Sequence, residues 1–157
     1  MEAACRHWLM KTEPSVYSID DLARDGRTAW GGVRNYQARN FMRDRMRLDD
    51  AVLVYHSNAA PPGVAGLGRV CSAPYADRTA LDPASPYYDP RHTTRKPVWF
   101  LVDLCFVKQF PRLISLAELR ADPDLAGMAL LEKGQRLSIL PVTAAHFARI
   151  LAMVHGG

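Results

Sequence analysis

Trp30 stands directly before Gly31 and Gly32, and the eight residues that follow supply Arg34, Asn35, Tyr36, Gln37, Arg39 and Asn40. Glycine backbone reaches positive φ and lets another group approach closely. A flat indole is therefore carried beside permissive backbone and a dense run of planar, bidentate hydrogen-bonding groups. Such groups suit the reading of base edges and phosphates. The plainer structural alternative is a turn followed by a solvated helix. Tyr55, His56, Ser57 and Asn58 form a second cluster, with base and hydroxyl side by side. Neighbouring residues on a strand point to opposite faces, so His56 reaches the Ser57 hydroxyl only if the strand has already ended. Ser57 and Asn58 offer a hydroxyl and an amide at a strand end, which fits base-edge recognition better than bond cleavage.

Other chemistries find little support. The chain has no nucleophile elbow, phosphate-binding loop or dinucleotide fingerprint. Its five histidines, His7, His56, His92, His146 and His155, show no metal-ligand spacing, so no metal and no cofactor are expected. Cys5, Cys71 and Cys105 are odd in number and widely spaced, which suits neither a disulfide framework nor a zinc site; two of them fall in apolar, strand-like surroundings and read as inert packing. Two rivals to a base-binding module stay open: an enzyme acting on a nucleotide or base with His56 and Glu13 as acid and base, and a small-molecule or protein-interaction module.

The elements that must position these groups follow from pattern. Arg6 to Lys11 reads as a first strand ending at Pro14, and Ser18 caps a short helix stopped by Gly26. From Asn35 a helix is predicted with Ala38, Phe41, Met42 and Met46 inward, and Arg39, Arg43 and Arg47, four apart, form one basic ridge on another face. Ala51 to Tyr55 and Val64 to Val70 are apolar strands, the second bent at Gly66 and Gly68. Ala73 to Pro97 lacks any period and is expected to be a long surface loop, carrying Tyr87 and Tyr88 on stiff backbone. Val98 to Val107 reads as the longest strand, with Asp103 as a structurally paired acid. Ser115 and Glu118 make a capping box, Arg136 to Leu140 is the last strand, and Thr143 caps a terminal helix with Phe147, Ile150, Leu151 and Val154 inward. Strands separated by short helices without strict alternation predict an α+β fold around a small mixed β-barrel.

At 157 residues the chain is read as one domain, 1–157, able to bury a real core. With 48% hydrophobic and 23% charged residues it falls among globular rather than disordered chains. No apolar run is long enough to span a bilayer, and the N-terminal residues lack a signal-peptide pattern, so the cytoplasm is the expected compartment and no membrane partner is expected. The formal charge of +4 permits nucleic acid as a partner without demanding it.

Five stretches carry a more specific signal: Trp8 to Pro14, Trp30 to Asn40, Tyr55 to Asn58, Ser85 to Pro90 and Arg136 to Val142. Together and in this order they resemble the successive motifs of the EVE domain family, over a span from about Arg6 to about Leu151. The resemblance implies a PUA-like barrel flanked by short helices, related to the YTH domain. It also implies binding of a modified base in DNA or RNA, modified cytosine or N6-methyladenine, flipped into an aromatic pocket without catalysis. Carried over by motif, Lys11, Trp30, Arg34, Asn35, Tyr55, Ser57 and Asn58 line the pocket, and Arg136, Leu137 and Ser138 border it. Arg34, Arg39, Arg43, Arg47 and Arg136 are the expected phosphate contacts, and a monomer is expected. Gly31 and Leu140 depart from the family pattern, in which an acidic and a polar residue are common.

Overall fold

The computed structural model describes residues 6–155. Its frame is a six-stranded mixed sheet. The strands are β1 (His7–Thr12), β2 (Arg27–Ala29), β3 (Ala51–His56), β4 (Gly63–Val70), β7 (Asp103–Ser115) and β8 (Ile139–Pro141), ordered β2-β7-β4-β3-β1-β8. A separate pair joins β5 (Tyr75–Ala76) to β6 (Phe100–Leu101). Only β1 and β3 run parallel, from His7 opposite Ala51 to Thr12 opposite His56; the other pairs are antiparallel. The helices are α1 (Ile19–Asp25), α2 (Tyr36–Asn40), α3 (Leu116–Ala121) and α4 (Ala144–His155).

The alternation of side chains along β1 and β3 explains why both strands are almost wholly apolar. Trp8, Met10, Val52 and Val54 face one core with Ile19, Leu22, Trp30 and Met42, whereas Leu9, Leu53 and Tyr55 face a second with Leu119, Leu125 and Ile150. A sheet covered on both sides must be apolar on both sides. Its curl into a half-barrel comes from β4 and β7, where the pairing register shifts between Val64 and Gly66 and again between Leu67 and Gly68. Each shift is a bulge that bends the strand. Glycine is needed at the bend, because a Cβ at Gly66 would lie 2.6 Å from the Lys108 carbonyl oxygen and 2.6 Å from Ile19 Cδ1.

Local rules held at the helix ends. Ser18 and Ser115 each form a complete capping box, with Asp21 and Glu118 respectively, and Thr143 Oγ1 accepts from His146 N at 3.1 Å. Asp103 is paired as expected: its carboxylate accepts from Arg27 at 2.7 Å and from the Tyr75 hydroxyl at 2.5 Å.

Four expectations are corrected. The helix after Asn35 does not continue in register; it changes at Phe41–Arg45 to a π-turn closed by Met46 N on Phe41 O at 2.8 Å, and Met46 is extended. Arg47 therefore lies beyond the helix, and no Arg39-Arg43-Arg47 ridge exists. The strand predicted from Val98 begins later, since the Val98 and Trp99 N–H groups both donate to His92 Nδ1 at 3.0 Å instead of entering a ladder. After β6 the chain breaks at Val102, whose carbonyl accepts from Trp30 N, and β7 then runs to Ser115. The last strand likewise begins at Ile139, not Arg136. Finally, Cys71 and Cys105 form a disulfide across the antiparallel β4 and β7, with Cα atoms 5.9 Å apart; the 34-residue separation hid a proximity that strand pairing creates. Cys5 lies outside the described residues.

Replacing Gly66 by Ala forces a methyl into backbone that has no room to retreat. The expected cost is about 1–3 kcal/mol, read as a lower denaturant midpoint with an unchanged m-value.

Candidate functional site

A cleft of about 510 Å³ opens where the end of β1 meets the turn after β2. Lys11, Thr12 and Glu13 form one side, Trp30 to Arg34 the other, and Tyr87 and Ser138 complete its rim. Each wall has a local cause. β1 ends because Thr12 O accepts from Ser57 N at 2.9 Å and Thr12 Oγ1 donates to Tyr17 O at 2.7 Å, which turns the chain back towards α1. Trp30 is held by its backbone N–H on Val102 O, and the residue is 9% exposed, in the first core with Trp8, Ala38 and Val102. It therefore serves core and cleft together.

The opposite wall depends on Asp77. This carboxylate is 1% exposed and accepts from Gly32 N at 2.8 Å, Arg34 Nη1 at 3.1 Å, Thr79 Oγ1 at 2.6 Å and Thr79 N at 3.0 Å. Arg34 in turn donates through Nε and Nη2 to the Tyr87 carbonyl, at 3.1 and 2.8 Å, and fixes the 73–97 loop against the turn. Tyr87 then closes over Gly32, where φ is +79° and an added Cβ would come within 2.8 Å of the tyrosine ring. Only glycine satisfies both conditions.

The other predicted residues divide into three groups. Lys11, Trp30, Arg34, Tyr87 and Ser138 come together at the cleft. Asn58 acts one step behind it, its Nδ2 donating to Glu13 Oε1 at 2.7 Å. Asn35, Tyr55, Ser57, Leu137 and Tyr88 do not line it. The Asn35 side chain caps α2, its Oδ1 accepting from Ala38 N at 3.0 Å, Tyr55 is buried in the second core, and Leu137 packs against that core. Tyr88 is exposed outside the cleft. Asp77 and Thr79 were missed. Asp77 and Thr79 two residues later carry the pattern of an Asx turn, but nothing local points that carboxylate at Gly32, 45 residues away.

Most of the expected phosphate contacts are already engaged. Arg34 spends its donors on Val33 O, Asp77, Thr79 and Tyr87 O, with its guanidinium 5.3 Å from the Trp99 ring centroid. Arg39 donates to Val98 O and Asn40 and stacks 4.9 Å from Tyr36, and Arg43 is paired with Asp44. Arg47 lies beside Asp50, whose chain enters β3 opposite His7, roughly 15 Å along the strand from Lys11 at the cleft end. Lys11 and Arg136 differ. Among the described residues neither has a carboxylate partner; Lys11 Nζ sits 6.0 Å from the Tyr55 ring centroid, and Arg136 lies two residues from Ser138. Burial pulls the Lys11 ammonium below its ordinary pKa, which favours an incoming anion as its partner.

His56 is not placed for acid-base work. Its Nε2 accepts from Ile19 N at 3.0 Å, at the start of α1, and burial holds its pKa below the ordinary value. The imidazole is thus neutral and its reactive nitrogen is occupied, while Glu13 binds Asn58. Among the described residues no cluster of three His, Cys, Asp or Glu could hold a metal.

Comparison with known proteins extends these observations. Residues 6–153 match the EVE domain. Human thymocyte nuclear protein 1 is 40% identical over an alignment of 166 residues that covers 94% of this chain and 73% of that protein. A solved structure from Pseudomonas syringae superposes with a TM-score of 0.90 at 47% identity, over 94% of this chain and 99% of the other. The crystal structure of human THYN1 in complex with DNA containing 5-methylcytosine superposes with a TM-score of 0.87 at 40% identity, over 94% and 96% of the two chains.

The Asp77 clamp gives a pH signature. Burial pushes its pKa up, but the Thr79 hydroxyl, the Gly32 N–H and Arg34 outweigh burial and hold it below the ordinary 3.8. A depressed folded pKa stabilises above the unfolded value and ceases to do so as pH falls through the folded one. Asp77→Asn should therefore lose about 2–3 kcal/mol at neutral pH and show a shallower loss of stability below about pH 4 in denaturation curves than the unsubstituted protein.

Proposed function

The chain belongs to the EVE domain family, and from that premise we propose that it is a nucleic-acid-binding module that takes a modified base, foremost a modified cytosine, out of its strand and into the cleft beside Trp30. The observation that carries this reading is the composition of the cleft. An indole and a phenol wall it, the Ser138 hydroxyl and the Lys11 ammonium border it, and its turn is held rigid from behind by a buried carboxylate. The human relative bound to 5-methylcytosine DNA, superposing over nearly the whole chain, supports both nucleic acid as the partner and cytosine as the base.

The energetics set what each part must contribute. Extruding a paired base costs a few kcal/mol, and stacking on an aromatic returns about 1–3 kcal/mol. Stacking alone does not suffice, so phosphate contacts from Lys11 and Arg136 and edge contacts within the cleft must supply the rest. A methyl group entering an aromatic recess adds about 0.8 kcal/mol, roughly a fourfold preference over the plain base. Larger selectivity requires a polar site that the wrong base leaves unpaired. Binding without covalent chemistry accords with the engagement of His56 as a helix cap.

The cleft wall is best probed at Tyr87, which is 42% exposed, because truncating Trp30 removes core packing as well. Calorimetry at one salt concentration should find matched oligonucleotides carrying 5-methylcytosine bound about fourfold tighter than those carrying cytosine. Tyr87→Ala should weaken both by about tenfold. Removing charge at Lys11 or Arg136 should each reduce the log-log salt slope by about 0.7–0.9, whereas Arg47→Ala leaves it unchanged. Equal affinity for the two oligonucleotides would leave only a general nucleic-acid binder.

A further inference from the structure

A second, smaller cleft of about 230 Å³ lies on the 73–97 loop, away from the Trp30 cleft, with Tyr75, Leu81 and Pro97 as apolar walls and His92 at its base. Two observations separate it from an ordinary surface groove. His92 is 3% exposed, and its Nδ1 accepts two backbone N–H groups, from Val98 and Trp99. A nitrogen that accepts two hydrogen bonds carries no proton, so in the neutral ring the proton sits on Nε2. Burial holds the His92 pKa below its ordinary value, consistent with that neutral tautomer. Among the described residues Nε2 has no partner, and no side-chain nitrogen or oxygen is sealed from the surface without one. The Nε2–H therefore keeps access to the surface, and His92 is among the residues that line this cleft.

The second observation is the rim. Arg78 lines the cleft and, among the described residues, its guanidinium makes no hydrogen bond or ion pair, unlike Arg34, Arg39 and Arg43. Tyr75 is oriented by its hydroxyl on Asp103, itself held by Arg27, so its ring is a fixed wall although the ring is exposed. A fixed neutral N–H donor, a fixed aromatic plane, aliphatic cover and a free guanidinium are together complementary to one kind of ligand. It has a flat ring with a carbonyl acceptor and an attached phosphate.

We infer that this cleft is a second nucleotide site, in which a base carbonyl accepts from His92 Nε2, the ring lies against Tyr75 and Leu81, and the phosphate meets Arg78. The inference rests on the reading of the chain as a nucleic-acid binder, and it assigns the loop a second, unpaired nucleotide in addition to the one at Trp30. A free mononucleotide and an unpaired residue of a strand share this chemistry, so both are tested.

The 157-residue protein, labelled uniformly with 15N, is titrated in separate arms with deoxycytidine monophosphate and with a short single-stranded DNA. The His92 Nε2 resonance is expected to move saturably in at least one arm; a response to the mononucleotide alone identifies a free-nucleotide site, and a stronger response to the DNA identifies a strand subsite. Arg78→Ala, which removes no hydrogen bond or ion pair among the described residues, should weaken that response about fivefold. His92→Asn keeps an acceptor for Val98 and Trp99 but withdraws the Nε2 donor, and should weaken binding similarly when followed through the Tyr75 and Leu81 amides. Tyr87→Ala should leave the mononucleotide response at His92 unchanged. A shift of the Trp30 indole with no shift of His92 in either arm would overturn the inference and leave the first site standing. A His92 shift with a silent Trp30 would do the reverse.

Discussion

A single buried carboxylate shapes the site. Asp77 draws three separate parts of the chain to one point: the Gly31-Gly32 turn, the Arg34 side chain and the start of the 73–97 loop. Burying a charge is costly unless it is paired and fully hydrogen-bonded, and here four donors, one of them the Arg34 guanidinium, meet that requirement. The consequence is rigidity where the sequence is least regular. A loop of this length would otherwise hold its aromatics loosely, and ordering them on binding would cost conformational entropy. With Arg34 tied to the Tyr87 carbonyl, one wall of the cleft is placed before any ligand arrives.

The fate of the arginines is the second lesson of the structure. A basic run beside an aromatic looks like a phosphate-binding surface, yet Arg34, Arg39 and Arg43 are consumed by carbonyls, carboxylates and the rings of Tyr36, Trp99 and Phe100. Planar guanidinium stacks on aromatic faces while still donating in its own plane, and this makes arginine a good mortar for a loop that lacks an apolar core of its own. Among the described residues the cleft cation without a carboxylate partner is Lys11, from the end of β1, and Arg136, two residues before Ser138 on the cleft rim, is likewise unpaired.

The two ends of the parallel β1-β3 pair also differ in character. At the His7 end, Asp50 is fully buried and accepts from Arg6, from the Trp8 indole and from Arg47 N, which ties that end of the sheet together. At the other end the backbone bonds stop at Ser57, Asn58 takes positive φ and holds Glu13, and the sheet opens into the cleft. One strand pair thus supplies a sealed end for stability and an open end for binding.

Much of this was legible in the sequence. The N-cap at Ser18, the capping box at Ser115, the two-sided apolar strands, the bend at Gly66 and the paired role of Asp103 all follow from interactions within a few residues or from burial pattern alone. Five motifs in order were enough to identify the family and its mixed, curled sheet, and to group Lys11, Trp30, Arg34 and Ser138, which the folded chain brings to one cleft; Tyr87 was expected only as an aromatic of the surface loop. What the sequence could not determine is how each polar group spends its hydrogen bonds. Asn35 became a helix cap, His56 a capping acceptor for α1, and His92 the anchor of Val98 and Trp99, because in the folded chain an unpaired backbone N–H was closer than any ligand. The π-turn at Phe41 moved Arg47 out of phase with Arg39, and strand pairing joined Cys71 to Cys105. These outcomes depend on distances between residues far apart in sequence, which only the packed tertiary structure sets.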